Sequence, residues 1–156
     1  MIVAVCIALM AAVFAADQWM KDRMENTLLA GETKKLWKGR ILLRIHHNRG
    51  VMMNIGQAKQ KLVAVISVIL TVVSVVFFFL SLGQKGNHLL HIGLALLLGG
   101  AFSNTYDRLK RKYVVDYFSL GVKWSPLRNV VFNMADFCIM MGALLTVIGA
   151  GADPTR

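Results

Sequence analysis

Asp116, in Val-Val-Asp-Tyr-Phe, and Asp136, in Phe-Asn-Met-Ala-Asp, are the two side chains of this sequence whose setting demands a chemical explanation. Asp136 stands in a stretch, 130–151, that otherwise reads as a membrane-spanning helix. A carboxylate costs about 2.5–3.5 kcal/mol at the bilayer centre and less near an interface, so an ionisable residue inside a span is read as a site with a partner. Asp116, on the segment feeding that helix, is the candidate partner. Two carboxylates that share a site do not both ionise easily, so one keeps a proton and the pair titrates as a unit. Such a pair supplies base and acid together: one takes a proton from water while the other donates to a peptide carbonyl. The residue types point to aspartyl proteolysis at a membrane surface.

Four polar clusters, the last of them containing Asp136, fall at the ends of apolar segments, on one side of the membrane. Asp17 and Lys21 are spaced i, i+4 and share a helix face, which by itself describes an ion pair at a helix end. His46, His47, Asn48 and Gly50 have the composition of a turn. Gly99-Gly100-Ala101 permits close helix packing, and Asn104 and Arg108 share a face one turn beyond it, with Asp107 as a local counter-ion for Arg108. Asn133, Ala135 and Asp136 form the last cluster, Asn133 and Asp136 lying one turn apart.

The elements that must position these groups are helices. The chain has 156 residues, 56% hydrophobic and 17% charged, where soluble domains run to about 45–50% and about 25%. The excess lies in four apolar segments, about 2–20, 62–82, 89–106 and 130–151. Backbone inside a bilayer has no water to bond, so these segments must be helical. The expected architecture is an all-α integral membrane protein of four transmembrane helices, one domain over 1–156, with a small extended or β-like element in the first long loop at residues 42–47. The first segment lacks a basic region before Ile2 and exceeds the usual signal-peptide core, so it reads as a retained helix. Gly121 and Pro126 read as breakers in the third loop. His91, near a tight turn at 83–88, is expected to reach toward water, and Trp19, Trp37 and Trp124 fit interfacial anchoring.

The formal net charge is +10, from 18 Lys and Arg against 8 Asp and Glu. Ten of the cations lie between 21 and 61 and six between 108 and 128. No nucleic-acid recognition motif accompanies them, so anionic lipid headgroups are the nearer partner. The positive-inside rule assigns both loops to the cytoplasm. Cys6 and Cys138 sit in apolar segments, with no Cys-x-x-Cys or His-x-x-x-His spacing to suggest a disulfide framework or metal site.

Taken in order, Asp-x-x-x-Lys (17–21), Asn-x-Gly (48–50), Gly-Gly-Ala-x-x-Asn-x-x-Asp-Arg (99–108), Val-Val-Asp-Tyr-Phe (114–118) and Phe-Asn-x-Ala-Asp (132–136) resemble the lipoprotein signal peptidases, also called signal peptidase II. The resemblance spans nearly the whole chain and includes the four-helix layout. It implies an aspartyl endopeptidase of the bacterial inner or plasma membrane, a monomer without metal or organic cofactor. The implied substrates are prolipoproteins carrying a diacylglyceryl group on the lipobox cysteine, cleaved immediately before that cysteine. By motif position Asp116 and Asp136 are the catalytic dyad. Asp17, Lys21, Asn48, Gly50, Asn104, Arg108, Asn133 and Ala135 fall where the family shapes its site or holds substrate and dyad. The family's active site faces outward with both termini cytoplasmic, against the charge bias. After Gly50 the sequence Val51-Met52-Met53-Asn54 departs from the family's small and aromatic residues, which bears on substrate preference. Two other readings stay open on the residues alone: a catalytically altered paralogue that binds lipid or lipoprotein, and a small proton-coupled carrier.

Overall fold

The structure, a computed structural model, describes residues 1–29, 31–50, 57–84 and 86–152. Residues 51–54, with their departure from the family pattern, lie outside the described residues. Four helices are long and apolar enough to cross a membrane: α1 (Ile2–Thr27), α2 (Gln60–Ser81), α3 (His88–Lys110) and α5 (Met134–Gly151). At 1.5 Å per residue the 22 residues of α2 extend about 33 Å, against a hydrocarbon core of about 30 Å. A short helix, α4 (Ser125–Asn129), precedes α5, and Pro126 starts it rather than breaking the chain, since the first helical turn needs no proline N–H. Three strands complete the fold: β1 (Lys34–Leu36), β2 (Ile41–Asn48) and β3 (Val114–Leu120).

The helix α3 is the centre of the bundle. Most of its span is buried, whereas in the other three only a small share is. Gly99 and Gly100 make this possible on two adjacent faces. A Cβ on Gly99 would stand 2.8 Å from Val13 of α1, and one on Gly100 would stand 2.5 Å from the Ala135 carbonyl of α5. The glycine pair therefore lets α1 and α5 both approach α3 at the level of Asn104. At the other end of α3, His91 is 2% exposed and its Nε2 lies 2.9 Å from the Ser81 carbonyl. The expectation that His91 reaches water is thus corrected: its ring bonds the last turn of α2, at a carbonyl that also accepts the Gln84 N–H at 2.9 Å.

Two helices outrun their apolar segments. The α1 helix continues through the charged turns to Thr27 and α3 continues to Lys110, because neighbouring elements supply partners for their charges, as described below. The last helix is shorter than its hydrophobicity suggests. It begins at Met134, and Phe132 instead exchanges backbone bonds with Phe118: its N–H donates to the Phe118 carbonyl at 2.7 Å, and its carbonyl accepts from the Tyr117 and Phe118 N–H groups.

The sheet runs β1-β2-β3, all antiparallel. The extended element read at 42–47 is its middle strand. The Val-Val-Asp-Tyr-Phe stretch is a strand of the same sheet, with His46 opposite Asp116 and Asn48 opposite Val114. The strand β3 is thus held on one edge by β2 and on the other by Phe132. Val115, Tyr117 and Ser119 are buried on one face and Val114 and Asp116 on the other. With both faces covered, the strand shows no alternation of polar and apolar residues.

Candidate active site

The first turn of α5 organises the site. Four backbone N–H groups at a helix start lack helical partners and must find others. Here Asn133 N donates to Asp136 Oδ2 (3.1 Å), Met134 N to the Tyr117 hydroxyl (2.9 Å), Ala135 N to Asp17 Oδ1 (3.0 Å) and Asp136 N to Asn133 Oδ1 (2.9 Å). Asn133 and Asp136 thus form a reciprocal capping box. Asp136 lies in the first turn of the helix, near its polar end, not deep in the span. Its negative charge sits at the positive end of the helix dipole.

Each carboxylate of the pair accepts two N–H donors. Asp116 Oδ1 takes the Asn133 amide at 2.7 Å and Oδ2 takes the Asn48 amide at 3.0 Å. Asp136 Oδ1 takes the Asn104 amide at 2.9 Å, and Oδ2 takes the Asn133 backbone N–H. The three asparagines are oriented by what their carbonyl oxygens accept. Asn48 Oδ1 receives the Gly50 N–H at 3.1 Å, Asn133 Oδ1 the Asp136 N–H, and Asn104 Oδ1 the Lys21 ammonium at 2.9 Å. Each amide is therefore turned so that its NH2 faces a carboxylate.

Burial first, and then the neighbouring Asp136 carboxylate, push the Asp116 carboxyl up to about 7, while the Asn48 and Asn133 donors pull against that rise. Both carboxylates line a cavity of about 210 Å³ with Asn48, Asn104, Arg108 and Phe132. Arg108 donates weakly to the Gly50 carbonyl (3.5 Å) and the Asn104 carbonyl (3.3 Å), and its Nε has no partner among the described residues. The cavity therefore offers a base, a proton and a guanidinium to one bound group.

Lys21 and Asp17 are not at the surface. Both are fully buried, and Lys21 Nζ lies 2.6 Å from Asp17 Oδ2 and 2.8 Å from Asp107 Oδ2. Asp17 also accepts from the Ser103 hydroxyl at 2.6 Å, so one carboxylate joins α1, α3 and α5. Asp107 turns away from Arg108 and toward Lys21, Gln18 and Arg111, which corrects its reading as the counter-ion of Arg108. Arg111 in turn pairs with Asp22 and with Glu25 at 2.7 Å, and His47 meets the other Glu25 oxygen at 2.7 Å. That chain of charges ties the end of β2 to α1 and α3, one residue from Asn48.

All ten residues singled out by motif meet at this one end of the bundle. Sequence reasoning missed Ser103, Arg111, Gln18 and Tyr117, and gave Asp107 the wrong partner. Ser103 and Arg111 had a readable signal: with Asp107 they recur every fourth residue along one face of α3. Tyr117 had none, since its partner is a backbone N–H in another element.

The sequence profile of the family described as Signal peptidase (SPase) II matches residues 9–150. A lipoprotein signal peptidase of Fusobacterium nucleatum subsp. nucleatum is 33% identical over 132 residues, 85% of this chain and 77% of that protein. One of Lactiplantibacillus plantarum is 31% identical over 145 residues, 93% of each chain, and one of Geobacillus thermodenitrificans is 34% identical over 142 residues, 90% of this chain and 85% of that protein. A solved structure described as a bacterial membrane enzyme, at 22% identity, superposes with a TM-score of 0.80 over 96% of this chain and 89% of that one. A second of the same description, at 20% identity, gives 0.75 over 96% and 94%. The multi-pass bundle, the paired carboxylates at its polar end and these matches lead to one conclusion: the chain belongs to the signal peptidase II family, and is a membrane-embedded aspartic endopeptidase acting on prolipoproteins.

Proposed function

We propose that this chain removes the signal peptide from diacylglyceryl-modified prolipoproteins, cleaving before the lipid-modified lipobox cysteine, with Asp116 and Asp136 as the dyad that activates water. The observation that carries the reading is the matched hydrogen bonding of the two carboxylates on one cavity, each held by two neutral N–H donors. The pair holds one proton. The ionised carboxylate takes a proton from water as its oxygen attacks the scissile carbonyl carbon, while the other donates its proton to the carbonyl oxygen. The tetrahedral intermediate then collapses. The carboxylic acid formed in the first step protonates the leaving nitrogen, the hydroxyl proton returns to the other aspartate, and the C–N bond breaks. Arg108, on the same cavity wall, binds a substrate oxygen, and Asn48, Asn104 and Asn133 hold the dyad. Asp17, Lys21 and Ala135 act through position: they fix the start of α5 and the Asn104 amide. Gly50 leaves its carbonyl to Arg108.

The dyad end faces outward with both termini cytoplasmic, because exported signal peptides present their cleavage sites there. The enzyme acts as a monomer, and its basic loops lie against anionic headgroups of the outer leaflet. Purified protein in detergent is expected to cleave a diacylglyceryl-modified prolipoprotein before the modified cysteine, with Asp116→Asn and Asp136→Asn folded and inert. Cleavage by either variant at the wild-type rate would refute the dyad. Failure of the folded wild type on several lipobox substrates would favour the altered paralogue.

A further inference from the structure

We infer that the tip of the sheet, away from the dyad, is a binding site for the phosphodiester of an anionic phospholipid. The turn joining β1 to β2 and the end of β3 meet there around a cavity of about 280 Å³. Liquid water takes about 30 Å³ per molecule, so the space admits a phosphodiester with its first waters. Lys35, Lys38, Lys123 and Arg128 line it, all exposed, and none has a carboxylate partner among the described residues.

The tip is built rather than loose. Gly121 N donates to the Arg40 carbonyl at 2.8 Å, and a Cβ on Gly121 would fall 1.7 Å from the Gly39 carbonyl oxygen, so only glycine lets the two chains meet. Trp37, Lys38 and Gly39 all take positive φ (47°, 57° and 84°), a conformation that disfavours the first two and is held here by that contact. Arg44 reaches from β2 to the last carbonyls of α4, Arg128 at 3.0 Å and Asn129 at 3.2 Å, fixing the opposite wall. Four cations are thus held together against their mutual repulsion.

The occupant follows from what borders the cavity. Trp37 is 77% exposed and Trp124 67%, with Leu36 and Val122 also exposed beside them. Exposed tryptophans on a membrane protein belong at the headgroup level, where one side of the ring meets acyl chains and the other meets water. Cations set between them meet lipid phosphates. This deepens the lipid contact proposed above and rests on it.

The test is retention of phosphatidylglycerol by the full-length protein. Protein released from nanodiscs of mixed phosphatidylglycerol and phosphatidylcholine is weighed by native mass spectrometry. The wild type is compared with the quadruple Lys35→Gln, Lys38→Gln, Lys123→Gln and Arg128→Gln. A control quadruple, Lys59→Gln, Lys61→Gln, Lys110→Gln and Lys112→Gln, removes the same charge at the same end of the bundle. A basic residue near an anionic surface contributes about fivefold to binding, so the tip quadruple is expected to lose at least tenfold in phosphatidylglycerol retention and the control less than threefold. Gly121→Ala, which changes no charge, is expected to lower retention as well. Prolipoprotein cleavage in detergent, expected to be unchanged in both quadruples, reports that they fold. Equal losses in the two quadruples would overturn the site and leave only a diffuse basic surface. A wild type that retains phosphatidylglycerol no better than phosphatidylcholine would overturn the lipid contact as a whole. Displacement of the lipid by millimolar inorganic phosphate would overturn the headgroup assignment in favour of a small-anion site.

Discussion

Replacing Lys21 by methionine removes one charge from the centre of the site and strands another. Breaking a buried ion pair costs about 3–5 kcal/mol, because the remaining charge stays in a poor solvent without compensation. Two carboxylates share Lys21, but they fare differently. Asp107 keeps Arg111 Nε at 3.1 Å and Gln18 at 3.0 Å. Asp17 keeps only neutral donors, the Ala135 N–H at 3.0 Å and the Ser103 hydroxyl at 2.6 Å. One carboxylate is stranded, not two, so the expected cost lies at the lower end, about 3 kcal/mol. Adding Asp17→Asn to Lys21→Met neutralises the stranded group and is expected to recover most of that loss. Cleavage should not recover, since Asn104 Oδ1 no longer accepts a cation and its amide is free to turn away from Asp136. Reversible unfolding in mixed micelles measures the first effect and prolipoprotein cleavage the second. Wild-type stability in Lys21→Met would refute the buried-charge argument, and restored cleavage in the double variant would refute the link from Lys21 through Asn104 to Asp136.

Three further expectations follow from the same geometry. Asp116 is raised toward 7 in the folded protein, so its stabilising contribution is full below the ordinary carboxylate range and is lost as pH rises through about 7. Unfolding temperatures of wild type and Asp116→Asn should therefore diverge in favour of the variant between pH 5 and pH 8, and wild-type cleavage should fall above about pH 7; parallel pH dependences would contradict this. Asn133→Ser keeps a helix-capping oxygen but removes the amide donor to Asp116, so it should fold with near wild-type stability yet lose cleavage, whereas Asn133→Ala should also lose about 1 kcal/mol of stability with the cap. Gly100→Ala places a methyl 2.5 Å from the Ala135 carbonyl and must push α5 from α3. A loss of about 1–3 kcal/mol together with reduced cleavage is expected, and an unperturbed variant would show that the seam is looser than described.

What the sequence could reveal divides by distance along the chain. Asp17 with Lys21, and Asn133 with Asp136, are pairs within one helical turn, and their spacing placed them on shared faces before any fold was known. Their burial was not legible, because an i, i+4 pair at a helix end is ordinarily exposed. Only the approach of Asp107, 86 residues from Lys21, makes it an interior cluster. The start of α5 was misread for a related reason. Val130, Val131 and Phe132 continue the apolar run, and hydrophobicity alone does not tell a helical turn from an extended segment that pairs with a neighbouring strand. The Asn-x-x-Asp box at 133–136 carried the boundary.

The same limit explains why the proposed dyad is set apart by partners that composition cannot rank. Seven carboxylates lie among the described residues, and five of them, Asp17, Asp22, Glu25, Glu32 and Asp107, pair with Lys21, Lys34, His47 or Arg111. In a chain with 18 lysines and arginines, any carboxylate has many cations to choose from. Asp116 and Asp136 are instead bonded to neutral amides and a backbone N–H. A cation in direct contact would favour the charged form of both and leave no proton to give. Asparagine holds a carboxylate in place while leaving its proton exchangeable, and Lys21 is kept one amide away, acting through Asn104. On the proposed mechanism the three asparagines are therefore as much a condition of the acid–base chemistry as the aspartates they hold.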